Sequence, residues 1–225
     1  MISTRQKYEI YKPKKFLGQN FLVDENIAKK IVNSLDIEKY DAVIEIGPGR
    51  GVLTKYISGL SAFFYAVEID RSIFEKLNSE YGNKLKLIHK DFLKIDLDSD
   101  IIVKDLSGKI KIIGNIPYNI TTEILFKLFE SGDSIDSAVL MMQREVAKRL
   151  TAGPDTKDYG ILAIQTQVHT NPKILFNVPP TAFFPKPNVH SSIVRLEFRK
   201  DISDISNRYL FKEIVRESFG QRRKT

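Results

Sequence analysis

Apolar residues recur along this chain in two rhythms. Short runs with strand character fall at Ala42–Ile46, Ala62–Val67, Leu85–His89, Ile110–Ile113 and Ser137–Met142. Between them the apolar positions take helical spacing. Asp24 is suited to cap a helix carrying Ile27, Ile31, Val32 and Leu35 on one side. Further helices are predicted around Val52, Leu53, Tyr56 and Ile57, over Arg71–Tyr81, over Thr121–Phe129 and over Gln143–Leu150. Strand alternating with helix predicts an α/β fold built on a doubly wound, mostly parallel sheet.

The rhythm changes after Thr151. Gly153-Pro154-Asp155 marks a turn, and Ile161–Val168 reads as helix. Ile174–Val178 and Ser191–Phe198 read as strands. The Pro-rich stretch Pro179–Pro187 between them is unsuited to a central strand. A helical pattern resumes from Asn207 through Leu210, Phe211, Ile214 and Val215.

Composition narrows the function. The chain has 225 residues, 42% hydrophobic and 28% charged, enough for a substantial core. Its net charge of +7 favours an anionic partner, nucleic acid foremost. Residues 1–15 form a basic arm with Arg5, Lys7, Lys12, Lys14 and Lys15 against Glu9. There is no cysteine, and the histidines, His89, His169 and His190, are scattered, so no metal site is expected. No apolar run reaches membrane-spanning length, and Met1–Lys15 lacks the apolar core of a secretory signal. A cytoplasmic location is expected.

The stretch Gly114-Asn115-Ile116-Pro117-Tyr118 joins a buried strand to a helix. It places an amide and an aromatic ring at a strand's carboxyl end, where open α/β sheets bind ligands. The Asn115 side-chain oxygen and a carbonyl of Ile116 or Pro117 can accept both N–H bonds of an exocyclic amine. Pro117 has no N–H to compete and holds its own φ fixed. Tyr118 can stack on an extruded base.

Gly47-x-Gly49-x-Gly51 lies between a strand and a helix, but its spacing departs from the dinucleotide fingerprint. No phosphate-binding lysine follows, and Glu45 just before the glycines makes a poor phosphate cradle. Glu68 ends the second strand, suited to ribose hydroxyls. Asp91 ends the third, suited to an adenine amino group, with the Phe92 N–H beside it. With the turn of Gly47 and Gly49 these outline a slot for a cationic, phosphate-free nucleoside, which fits S-adenosylmethionine.

The chain resembles the small-subunit ribosomal RNA adenine N6,N6-dimethyltransferase family. The resemblance is carried in order by Lys15–Leu22, Glu45–Gly51, Val67–Asp70, Gly114–Asn119, Gln143–Leu150, Lys157–Gly160, Phe183–Val189 and Phe219–Thr225. It implies a Rossmann-like class I methyltransferase fold over residues 16–200. It implies cofactor contacts from Asn20, Leu22, Gly47, Glu68, Asp91 and Asn115, and a target adenine bracketed by Asn115–Tyr118 and Phe183. The implied reaction dimethylates two adjacent adenosines near the 3′ end of small-subunit RNA, in a partly assembled subunit. Family members carry a small helical C-terminal domain. Here residues 201–225 would be its start, cut off at Thr225. A monomer is expected. Arg144, Lys148, Arg149 and Arg222–Lys224 are candidates for phosphate contacts. The rival readings are a large-subunit dimethyltransferase of the macrolide-resistance type and an RNA-binding relative without catalysis.

Overall fold

The structure is a computed structural model that describes residues 13–97, 99–101, 108–200, 205 and 207–220. Most of the basic arm and the Arg222–Lys224 cluster lie outside the described residues. The main sheet contains β2 (Ala42–Ile46), β3 (Phe63–Glu68), β4 (Lys86–His89), β5 (Ile110–Asn115), β6 (Ile135–Gln143), β7 (Thr170–Val178) and β9 (Ser191–Phe198), in the order β4-β3-β2-β5-β6-β9-β7. The first five run parallel; β9 is antiparallel to both β6 and β7. β1 (Phe21–Leu22) and β8 (Phe183–Phe184) form a separate antiparallel pair.

The helices among the described residues are α1 (Glu25–Asn33), α2 (Thr54–Ile57), α3 (Arg71–Tyr81), α4 (Thr121–Glu130), α5 (Arg144–Leu150), α6 (Ile161–His169) and α7 (Arg208–Gly220). Asp24 caps α1, its carboxylate accepting from the Asn26 and Ile27 amides at 2.9 and 3.0 Å. The pattern around Val52–Ile57 yields only the single helical turn α2. The glycine-rich stretch occupies the residues before it with turn geometry.

Both faces of the sheet are covered, so every residue of β2 is buried. Alternation sends Ile44 and Ile46 to a core with α4, including Leu128 and Phe129. It sends Val43 to the opposite core with Ile31, Leu35 and Ile57. Strand β7 begins at Thr170, earlier than its apolar run indicates, and takes in Pro172. It pairs only with β9, and an edge position tolerates a residue without an N–H. The Pro-rich stretch is a short 3₁₀ turn over Pro180–Ala182 followed by β8.

The amino end of the sheet is closed by charge. Lys111 on β5 and Asp41 before β2 form an ion pair at 2.8 Å, with side chains 6% and 2% exposed. Asp41 also accepts from the Glu38 and Lys109 amides. Burial works against its ionised form, but these donors outweigh it and hold the carboxyl below its usual range. The carboxyl end is open, and β2 there has β3 on one side and β5 on the other, the topological switch point of such sheets.

Candidate active site

A cleft of about 250 Å³ lies over the carboxyl ends of β2, β3, β4 and β5. It brings together Asn20, Leu22, Gly47, Gly49, Glu68, Asp91, Phe92, Asn115, Ile116, Pro117 and Tyr118 from segments far apart in the chain. Its floor is the turn after β2. Gly47, Gly49 and Gly51 have φ of +60°, +55° and +78°, a region that L side chains rarely adopt. A Cβ on Gly47 would meet no protein atom within 4 Å, so the missing side chain leaves cleft space free.

The wall carries buried acids. Glu68, 4% exposed, accepts from the Asp70 amide at 2.8 Å and the Gly49 amide at 3.2 Å. Burial pushes its carboxyl up, and those amides offset this only in part. Glu45, 1% exposed, accepts from the Thr54 hydroxyl at 2.7 Å. Burial pushes it up to about 8 despite that hydroxyl, with the nearby Glu68 adding repulsion. Among the described residues neither acid forms an ion pair, so a cation entering the cleft would favour the ionised form of each. Two buried acids suit the sulfonium and ammonium charges of S-adenosylmethionine better than a phosphate. Asp91 accepts from the Leu93 amide at 3.0 Å, which fixes it at the cleft wall beside Phe92.

The catalytic-loop geometry is set by main-chain bonds. The Ile116 amide donates to the Met141 carbonyl at 3.0 Å, continuing the β5–β6 ladder past Asn115. The Pro117 carbonyl already accepts from the Ile120 amide at 3.2 Å and the Thr121 hydroxyl at 3.1 Å. Among the described residues no donor reaches the Ile116 carbonyl. Of the two candidate acceptors, Ile116 is therefore the one left open. The Asn115 Nδ2 donates to the Asn20 carbonyl at 2.8 Å. That spends the amide's donor end on the protein and leaves Oδ1 as its accepting end. Tyr118 is pinned through its hydroxyl to Ser191 Oγ at 2.6 Å. Burial pushes its phenol up, and the serine bond acts against that.

Phe183 is the exception. It is not among the residues that line the cleft. Its side chain is 4% exposed and packs in the core with Leu22 and Ala182. Leu22 pairs with Phe183 and Phe21 with Phe184, and paired residues share a face, so Phe183 lies on the same face as Leu22, a cleft residue. On the other face Arg50 lies over both Phe21 (4.6 Å) and Phe184 (5.5 Å).

Sequence reasoning missed how residues 14–22 close the cleft. Lys14 Nζ pairs with Asp70 at 2.8 Å, and Gln19 Nε2 donates to the same carboxylate at 3.2 Å. Burial opposes ionisation of Asp70, but bonds from Lys14, Ser72 and Gln19 carry the carboxyl down to about 2. Asp70 also caps α3. An acid two positions after a strand-end Glu, directly before a helix, was the available signal. Among the described residues no group of His, Cys, Asp and Glu is placed to hold a metal ion, and no helix is long and apolar enough to cross a membrane.

A doubly wound sheet in this strand order, with glycines and buried acids at its switch point, defines a class I methyltransferase. The description "Ribosomal RNA adenine dimethylase" fits a family profile over residues 10–225. The chain is 48% identical to the ribosomal RNA small subunit methyltransferase A of Chlorobium phaeobacteroides, covering 94% of this chain and 79% of that protein. It is 44% identical to the protein of the same name from Francisella tularensis subsp. novicida, covering 95% and 82%. A crystal structure of a dimethyladenosine transferase from Plasmodium falciparum superposes with a TM-score of 0.77 at 27% identity, covering 90% and 72%. The chain belongs to the ribosomal RNA adenine dimethylase family: it is a methyltransferase, and S-adenosylmethionine is its methyl donor.

Proposed function

We propose that this protein dimethylates N6 of two adjacent adenosines near the 3′ end of small-subunit ribosomal RNA, acting as a monomer in the cytoplasm on a partly assembled subunit. The observation that carries the chemistry is the paired acceptor set, Asn115 Oδ1 and the Ile116 carbonyl, at the rim of a cleft with buried acids. The small-subunit reading is supported by the names of the relatives above.

An adenine amine is a poor nucleophile because its lone pair conjugates with the ring. Asn115 and Ile116 accept its two N–H bonds and draw them out of the ring plane, which returns the lone pair to N6. Tyr118 holds the ring by stacking, and its bond to Ser191 keeps the platform still. Pro117 presents no N–H that would repel the amine. Glu68 and Asp91 hold the ribose and adenine of the donor, and the Gly47–Gly49 turn gives its amino-acid end room. Bound S-adenosylmethionine supplies an electrophilic methyl group. The chain's contribution is orientation and electrostatics, with no histidine among the cleft residues.

Residues 16–200 are the catalytic domain, residues 1–15 are a basic arm suited to RNA, and α7 belongs to a separate helical C-terminal segment. Arg144, Lys148 and Arg149 are exposed on α5, which starts where β6 ends on the cleft side of the sheet. They suit RNA phosphates.

The test is a labelled-methyl assay on unmethylated small and large subunits, with mass spectrometry of the modified nucleoside. N6,N6-dimethyladenosine in small-subunit RNA is expected. Label in large-subunit RNA, or no transfer to either subunit, overturns the reading.

A further inference from the structure

Phe16 is 78% exposed, the most exposed large apolar side chain among the described residues. Of the exposed aromatics Phe16, Tyr40 and Phe184, it alone lines the cleft. A single exposed ring is ordinary. This one is held in place. It sits on a 3₁₀ turn, Lys15–Leu17, closed by the Leu17 amide donating to the Lys14 carbonyl at 3.0 Å. On one side the turn is tied down by Lys14, whose Nζ pairs with Asp70 and whose amide donates to Gln19 Oε1 at 2.8 Å. On the other, Gly18 has φ +63° and lies so close to the catalytic loop that a Cβ would meet Asn119 Oδ1 at 2.5 Å and Pro117 Cβ at 3.5 Å. A braced turn thus carries an uncovered ring beside the Asn115–Asn119 loop.

We propose that Phe16 is a stacking platform for an unpaired base of the RNA substrate at the mouth of the cleft, and so a positioning residue for methyl transfer. The inference rests on the functional reading above. A base that enters the cleft must leave its stack, which strips a neighbouring base of a partner and exposes aromatic faces. An exposed phenyl ring replaces that contact without reading sequence. Asp91 and the buried Phe92 would hold the donor's adenine, a role that does not call on the exposed Phe16. The chain's net charge of +7 favours a polyanionic partner over an apolar one.

The chain contains no tryptophan, so Phe16→Trp installs a single fluorescent reporter. Its emission should be quenched on addition of a single-stranded oligoadenylate and stay unchanged with S-adenosylmethionine alone. Phe16→Ala should raise KM for unmethylated small subunits about tenfold, the scale of one base–aromatic stack, with kcat and cofactor affinity near those of the parent. Phe16→Trp should restore KM. An indole unquenched by oligonucleotide that nevertheless binds, quenching by the cofactor alone, or an unchanged KM in Phe16→Ala overturns the proposal. Failure of the parent chain to methylate any ribosomal RNA overturns the functional reading itself, and this inference with it.

Discussion

Asn115 donates from its side-chain Nδ2 to the main-chain carbonyl of Asn20 at 2.8 Å, across 95 positions of chain. The bond sets which end of the amide meets the substrate. Asn115→Asp replaces the donor with an oxygen facing the Asn20 carbonyl, so it loses both the anchor and the orientation. Asn115→Ala loses the acceptor as well. Both variants should fold, and turnover should fall on the order of a hundredfold or more, the scale of removing one preorganised polar group. Steady-state kinetics with circular dichroism as the folding control checks this; near-parental turnover in Asn115→Ala would discard the assignment.

Tyr118 contributes a ring and a hydroxyl that can be separated. Tyr118→Phe leaves the buried Ser191 hydroxyl without its 2.6 Å partner and should cost about 1–2 kcal/mol of stability in urea unfolding. Methylation should persist within severalfold because the stacking face remains. Tyr118→Ala should lose activity far more steeply than stability, and equal losses in both variants would argue against a stacking role.

Burial of Glu45 makes stability depend on pH. Its folded carboxyl titrates at about 8 against an ordinary 4.5, so between those values the folded chain holds a proton that the unfolded chain has released. Its contribution to stability is full below 4.5 and is lost as pH rises through 8. Glu68, also pushed up by burial, adds in the same direction. Glu45→Gln should flatten the fall in thermal midpoint between pH 4.5 and 8 without abolishing it. An identical slope in that variant would place the titration elsewhere.

Two glycines separate binding from folding. Gly51→Ala puts a Cβ 2.9 Å from Leu77 Cδ2 at φ +78° and should destabilise by about 1–3 kcal/mol. Gly47→Ala meets no protein atom, so it should cost about 1 kcal/mol of backbone strain and weaken cofactor binding by filling cleft space. Calorimetric titration with S-adenosylhomocysteine beside urea melts distinguishes them; parental affinity in Gly47→Ala would show that the cofactor does not approach that turn.

The ion pair between Lys14 and Asp70 holds residues 14–22 against the cleft. Lys14 is 41% exposed, so Lys14→Met should change global stability by less than about 1 kcal/mol. Hydrogen exchange of amides 16–22 should nevertheless quicken, and cofactor should dissociate faster. Unchanged exchange there would mean that Gln19 and Asn20 suffice as anchors.

Much of this could be read from residue order. The five parallel strands, the glycine turn, Glu68, Asp91 and the Asn115–Tyr118 loop were placed by periodicity and strand-end logic, because each depends on local pattern. What escaped depends on distant pairing. Leu22 and Phe183 are each an apolar residue in a two-residue strand, too short to show a period, and only their mutual register sets them on one face. The insertion of β9 between β6 and β7 is likewise a choice among partners that no single strand specifies. Pro172 masks the start of β7, since its tolerance follows from an edge position visible only once the sheet is assembled.

The β1–β8 pair also ties the timing of synthesis to competence. The strap that seats Asn20 on Asn115 is joined by β1 to a strand made much later, and the outermost pairing of the sheet waits for β9. During translation the donor's floor and walls, β2 to β5, can assemble first, while the flap over them still lacks its hinge. A chain ending before Phe183 would have every cofactor-facing acid but no strand for β1 to pair with, leaving the strap to Lys14, Gln19 and Asn20.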